Sequence, residues 1–286
     1  MKKLAVAVAV PMLLVPFAFA DLTLPRVSQK ATAMQTVGLT DVTILYNRPG
    51  VKGRTIWGGL VPYDEVWRTG ANEATTVTFS NPVKIDGKPL PAGTYSLHTI
   101  PGKTAWTVIF NKAAEQWGSY EYDSAKDALR IQVQPKSGAH QEWMTFSFPE
   151  VGNDAATLEL SWEKLRIPLR IETDTTTQAL SNIREALSGE VKDWEVPYDA
   201  AGFAFNAKLD SKRADAMGWI DKSIALDENY WNLRLKAAML EKEGKRKEAV
   251  AVAEKAVKIG KEKKDNATEI AKTEKQIAEW KAAAGM

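Results

Sequence analysis

The sequence predicts an α+β chain of two domains. The first is an antiparallel β-sandwich, jelly-roll or barrel-like, over residues 21–172; the second is an all-α region of helical hairpins over residues 173–286. Three observations predict this. Before about Thr173, short runs alternate apolar and polar residues and are cut by turn residues. After it, apolar residues recur at helical spacing in segments rich in Ala, Lys and Glu. The length of 286 residues also suits two domains better than one.

Residues 1–20 stand apart from both domains. Lys2 and Lys3 precede an apolar run from Leu4 to Phe17, and Ala18-Phe19-Ala20 has the small–any–small form of a cleavage site. A signal peptide removed before Asp21 is expected. Pro11 and Pro16 interrupt the run, which is shorter than the roughly 20 residues that span a bilayer. No later segment is long and apolar enough to cross one. The chain has no cysteine, which excludes disulfides, thiolate-held metals and lipid anchoring through an N-terminal cysteine. The expected location is the periplasm or the exterior. Basic residues number 38 and acidic residues 36. Without Lys2 and Lys3 the two balance, which argues against a nucleic-acid partner.

The strands follow in order. Val42, Ile44 and Tyr46 alternate with Asp41, Thr43 and Leu45, and Val77 and Phe79 alternate with Thr76 and Thr78. Val83 to Ile85 runs into Asp86-Gly87, a favoured two-residue hairpin turn. Thr94 to Ile100 and Ala105 to Asn111 flank Pro101-Gly102-Lys103-Thr104, which reads as a second hairpin. Leu129, Ile131 and Val133 mark another strand, as does Trp143 to Phe148. Leu158, Leu160 and Trp162 form one run, and Leu165, Ile167, Leu169 and Ile171 a further one. Pro168 predicts an edge position for the last, because proline donates nothing to a ladder. Seven to ten short strands at this spacing imply a sandwich or barrel.

The helices follow from about Thr173. Leu180, Ile183 and Leu187 share a face. Ala214 to Leu226, Tyr230 to Glu243, Lys247 to Ile259 and Ala267 to Lys281 are further helices, with Gly189, Gly244 and Gly285 as stops. ADAMGWIDKSIALDENY and KEAVAVAEKAVKIGKEK align at an offset of thirty-three residues, with Ala216 over Ala249, Ile220 over Ala253 and Ser223 over Ala256. The offset is close to the tetratricopeptide period of about 34. Residues 197–260 therefore resemble a short tetratricopeptide-like array. Lys236 departs from its consensus, and no proline closes either unit. Plain helical hairpins are the alternative. The Lys-rich surface from Lys242 to Lys281 is interleaved with Glu and reads as a solvated face with i,i+4 pairing.

Several chemistries find no support. Gly102-Lys103-Thr104 lacks the first glycine of a phosphate loop and sits between strands. With two histidines, His98 and His140, and no ligand pair, no metal site and no cofactor are expected. There is no G-x-S-x-G elbow around Gly118-Ser119-Tyr120, although a triad assembled in space leaves no such trace.

The candidate site lies between Tyr46 and Tyr122. Arg48, Lys52, Arg54, Trp57, Trp67, Arg68, Asn72 and Glu73 are mixed with glycines at a density that core packing does not require. Arginine offers a planar fork for carboxylate, phosphate or hydroxyl groups. Tryptophan offers a stacking face, and Asn72 both a donor and an acceptor. Gly58, Gly59 and Gly70 allow tight loops. The competing reading ties Arg54 and Arg68 to backbone carbonyls and uses Trp57 and Trp67 to cap the core. Exposure of Trp57, Trp67 and Arg68 together favours binding; internal pairing of all three favours structure.

RPGVKGRTIWGGLVPYDEVWRTGANEATT, LPAGTYSLHTIPGKTAWTVIFNK and QWGSYEYD recur in this order in the bacterial family called domain of unknown function 2911, which the chain resembles over about Ala31 to Ile171. The resemblance implies an exported, β-rich protein, often with a helical tail, and transfers no catalytic residue. Its blocks fall on Arg48, Gly53, Arg54, Trp57, Gly58, Pro62, Trp67, Arg68, Gly70, Asn72, Glu73, Gly93, Tyr95, Trp106, Asn111, Trp117 and Tyr120. A non-catalytic binding or scaffold protein is expected, with a glycan or peptide ligand on residues 48–73 and a protein partner on the helical region. The alternative is a cell-envelope hydrolase using Glu73 as acid or base.

Overall fold

The computed structural model describes residues 24–286. The expected signal peptide and its cleavage site lie outside the described residues. The chain divides into two compact units, Met1–Thr173 and Asp174–Met286. The first is an antiparallel β region of two sheets and the second is helical, an α+β layout.

The first unit holds β1 (Gln29–Val37), β2 (Thr40–Arg48), β3 (Thr75–Phe79), β4 (Val83–Ile85), β5 (Lys88–Leu90), β6 (Gly93–Ile100), β7 (Trp106–Asn111), β8 (Asp127–Val133), β9 (Lys136–Val151) and β10 (Ala155–Thr173). Six strands form one sheet in the order β1-β2-β3-β6-β7-β8, and four form the other in the order β5-β4-β10-β9. Every ladder is antiparallel. Alternation supplies the shared core. Val42 and Ile44 on β2, Val77 and Phe79 on β3, Trp106 on β7 and Ile131 on β8 meet Ile85, Phe146, Leu158, Leu160 and Trp162 from the other sheet in one apolar cluster. Asp86 and Gly87 both take positive φ, 46° and 79°, as a type I′ hairpin turn requires.

Three readings of the β region need correction. β1 lacks a strong apolar alternation and was not expected; it pairs along its whole length with β2. The two runs around Trp162 form a single 19-residue strand, β10. Even-numbered Ala156, Leu158, Leu160 and Trp162 are buried before Glu163, and odd-numbered Ile167, Leu169 and Ile171 after it. Register shifts against β9 flank Glu163, whose φ is 51°. A bulge inserts a residue there and flips the parity, so both halves keep their apolar side on the core. Pro168 is not on an edge strand, since β10 lies inside its sheet. It sits beyond the last β9 pair at Arg166 and before the first β4 pair at Ile171, where no ladder needs its N–H.

The helical unit holds α1 (Thr175–Leu187), α2 (Glu195–Asn206), α3 (Arg213–Leu226), α4 (Tyr230–Lys242), α5 (Arg246–Lys263) and α6 (Ala267–Ala284). α2 has a weak periodicity and was not expected. Pro197 falls in its first turn, where the missing N–H costs no helical bond. The aligned positions Ala216, Ala249, Ile220, Ala253, Ser223 and Ala256 are all buried. Small residues there let helices approach closely. Asn229 caps α4 in a reciprocal box with Asn232, and Lys236 leaves the core to pair with Asp221 at 2.7 Å.

Candidate functional site

The segment from Arg48 to Ala74 joins β2 to β3 and is stapled to both sheets. Val51 N donates to Glu142 O at 2.8 Å and Met144 N to Pro49 O at 3.0 Å, which fixes its start on β9. A turn closes from Arg54 N to Val51 O at 3.0 Å. Trp67 and Thr99 exchange backbone bonds of 2.7 and 2.9 Å, which holds the middle against β6. Ala74 N then donates to Gln116 O and Gly118 N to Asn72 O, at 3.0 and 3.2 Å. A long polar loop is thereby rigid enough to present side chains in fixed positions.

The expected site residues separate by the partners they meet. Trp57 and Trp67 join Trp106 and Trp162 in a four-ring cluster, with Trp67 stacked on Trp162 at 5.8 Å and Trp57 edge-on to Trp106 at 4.9 Å. Both are half-buried against the core, so the expected pair of free stacking faces is not formed. The Trp67 indole donates to Gly70 O at 3.1 Å. Arg48 and Arg54 take the carbonyl-tying role: Arg48 donates to Met144 O and Thr145 Oγ1 at 2.9 and 2.7 Å, Arg54 to Val51 O and Gly50 O at 3.1 and 2.6 Å. Asn72 donates to Ser28 O at 3.2 Å. Lys52 stands over the Trp143 ring at 5.6 Å, a cation–π contact. Among the described residues Arg68 has no hydrogen-bond or ion-pair partner for its side chain; it is half-exposed, with only its Nε buried.

A cleft of about 280 Å³ brings part of this set together. Lys52, Arg54, Trp67 and Arg68 line it, with Trp162 and the backbone at Gly50 and Gly70. No carboxylate and no histidine is in its wall. Among the described residues, Arg48, Lys52, Arg54 and Arg68 form no ion pair, although such pairs are frequent elsewhere, as at Arg166–Glu159 and Lys261–Glu274. Arg48 lines a neighbouring hollow with Val27, Gln29 and Trp143. Trp57, Asn72 and Glu73 do not line the cleft. Trp162 was missed as a lining residue because its place in an alternating strand reads as core, which it also is.

Glu73 is engaged elsewhere. Both its carboxylate oxygens accept from Arg26 at 2.6 Å, and Asn47 donates to Oε2 at 3.1 Å. The Arg26 hydrogen bond lowers its pKa below the ordinary value. It is therefore an ionised, occupied carboxylate, poorly placed to give or take a proton near neutrality. Among the described residues no group of three or more His, Asp or Glu could hold a metal ion.

A second polar cluster lies on the face of the larger sheet. His98 on β6 is fully buried, with Nδ1 3.2 Å from Ser119 Oγ and Nε2 without a partner. Burial lowers its pKa to about 4, against the opposing charge of Asp127. Asp127 is itself occupied: Asn111 donates to Oδ1 at 2.8 Å, and Tyr122 and Arg130 to Oδ2 at 2.7 and 2.6 Å. Burial, then the bond to Asp127, raises Tyr122 to about 12. In the sequence His98 is one residue of the run Thr94 to Ile100, and a partner twenty-one positions away leaves no spacing signal.

The family model described as "Protein of unknown function (DUF2911)" matches residues 28–171. That is half of the chain, and the chain belongs to this family. No curated protein and no solved structure matches it.

Proposed function

From membership of that family, whose description assigns no activity, we propose that this chain is a non-catalytic binding protein. Its β domain takes an anionic glycan or peptide segment in the cleft formed by Lys52, Arg54, Trp67 and Arg68. The observation that carries the reading is the wall of that cleft, which has three cationic side chains, two indoles and no acid. Cations that lack a counter-charge attract an anion, and the indoles give it an apolar floor. The volume of about 280 Å³ falls just short of the usual ligand sites, which run from roughly 300 Å³ upward, and suits a small segment. The charged start and apolar run of residues 1–20 support export to the periplasm or beyond. The tandem helical hairpins support a protein partner on their exposed faces.

The hydrolase alternative has less support, because the carboxylate of Glu73 is bound to Arg26 and Asn47 and is absent from the cleft wall. The test is tryptophan fluorescence of the purified protein titrated with citrate, with glucose as the neutral comparator. Citrate should give a saturable response that salt weakens and glucose does not reproduce. Lys52→Glu should raise the citrate dissociation constant by about tenfold or more, and Glu73→Gln should leave it unchanged. No saturable citrate response, or one that Lys52→Glu leaves intact, removes the proposal.

A further inference from the structure

We propose that the helical domain binds a single-chain fatty acid, with the alkyl chain in a cavity between α2, α3 and α4 and the carboxylate at Lys208 and Lys242. The cavity holds about 310 Å³, just above the lower limit of roughly 300 Å³ for small-molecule sites. Ala204 of α2, Ala216 of α3 and Met239 of α4 close its base, and half-buried Phe205 and Leu209 give it an accessible apolar wall. Lys208, Asp210, Arg213 and Lys242, all exposed, stand at its mouth.

The sequence builds this hollow locally. Ala204 and Ala216 belong to one apolar cluster with Met239, and two single methyl groups leave space that larger side chains would fill. The wall follows from how α2 ends. Leu209 N donates to Ala204 O at 3.0 Å and Lys208 N to Phe205 O at 3.2 Å, the paired bonds of a helix stop built around one left-handed residue. Such a stop turns the following residue back onto the last helical turn, which sets Leu209 beside Ala204 in the lining. The left-handed residue is Lys208, at φ 54°. α4 ends with the same pair of bonds, Lys245 N to Leu240 O and Gly244 N to Glu241 O at 3.0 and 2.9 Å, and there the position is held by Gly244 at φ 80°. A lysine at this position bears a conformational cost that glycine does not, and it adds a cationic side chain to the cavity.

The charges at the mouth are unbalanced. Among the described residues Lys208 and Lys242 form no ion pair. The acids nearest to them in sequence are taken, Asp210 by Arg213, Glu241 by Arg246 and Glu243 by Lys245. Cations without a counter-charge over an apolar hollow match an anion that carries an apolar tail. A small anion alone would leave the wall of Phe205 and Leu209 in water, and a neutral apolar molecule would leave both lysines unused. A fatty acid meets both features, and its carboxylate stays at the solvent edge, where no charge has to be buried.

Hexanoate, octanoate and decanoate binding to the full protein is measured by equilibrium dialysis, with acetate, octylammonium and N-acetylleucine as comparators. One molecule should bind per chain, and each added CH2 should tighten binding by about fourfold until the cavity is full. Acetate and octylammonium should bind far more weakly than octanoate. Lys208→Gly removes the charge and keeps the helix stop, so the melting temperature should hold or rise while the octanoate dissociation constant increases by about threefold. Adding Lys242→Glu, at an exposed position, should bring the loss to about tenfold. Lys52→Glu, which tests the cleft of the β domain, should leave octanoate binding unchanged, so the two sites fail or stand separately. No decanoate binding at about 10 mM overturns the proposal. So does affinity independent of chain length, equal binding of octylammonium, or octanoate binding that both lysine changes leave intact. Tighter binding of N-acetylleucine than of octanoate would assign the cavity to a peptide C-terminus and overturn it as well.

Discussion

Acidification should destabilise the β domain through His98 well before its carboxylates titrate. The ring is fully buried, and its pKa falls to about 4 in the folded chain against 6.5 for the free side chain. The folded value lies below the unfolded one, so the unfolded chain binds more protons between the two. Stability is then complete above about pH 6.5 and is lost as pH falls toward about 4, with a slope near 1.4 kcal/mol per pH unit. Over that window the loss approaches about 3 kcal/mol, of which about 2 kcal/mol appears by pH 5. Domains of this size hold only about 5–15 kcal/mol in total, so the effect is large. Glu73, whose folded pKa is lowered, acts in a lower window: its contribution is present above the ordinary carboxylate value and fades only below it. Urea unfolding followed by tryptophan fluorescence, at about pH 7.5 and about pH 5, measures the loss. The same pair of curves on His98→Gln, which cannot titrate, subtracts every other group, including those of the helical domain. A wild-type loss no larger than that of His98→Gln would refute the buried neutral imidazole.

Two further outcomes test the packing on which the site rests. Trp106→Ala removes a fully buried member of the four-indole cluster that packs on both Trp57 and Trp67. It should cost about 3–5 kcal/mol in urea unfolding, and it should loosen Trp57 and Trp67 with it. Gly260→Ala places a Cβ 3.0 Å from the Tyr230 ring and 3.2 Å from Cδ1 of Ile270. It should cost about 1–3 kcal/mol, detected as a lower melting temperature of the helical transition with the β transition unmoved.

The sheet order was only partly legible in the sequence, and the reason is local. Strands with one face on the core announce themselves by alternation, as β2 and β3 do at Val42, Ile44, Val77 and Phe79. The turn at Asp86-Gly87 announces itself because few residue pairs take two positive φ values. β1 gives a weaker signal because most of its residues are exposed or half-exposed. The bulge at Glu163 leaves only a change of parity, which two separate strands would produce equally well.

The candidate site was legible as a density of chemical types and not as an arrangement, and the difference lies in partners. Arg48, Arg54 and Arg68 are the same side chain within twenty-one positions of one another. Arg48 meets a carbonyl and a hydroxyl of β9, and Arg54 meets two carbonyls of its own turn. Arg68 meets no acceptor. Nothing in the residues on either side of each arginine foretells this, because the acceptors of Arg48 come from Met144 and Thr145, almost a hundred positions away. The tryptophans repeat the point. Trp67 was expected to serve either packing or recognition, and it serves one with each side, stacked on Trp162 and lining the cleft. A guanidinium whose hydrogen bonds are already made holds a loop in place. One that is half-exposed and unmatched is left free to meet an acceptor from outside, and that difference separates Arg68 from its two neighbours.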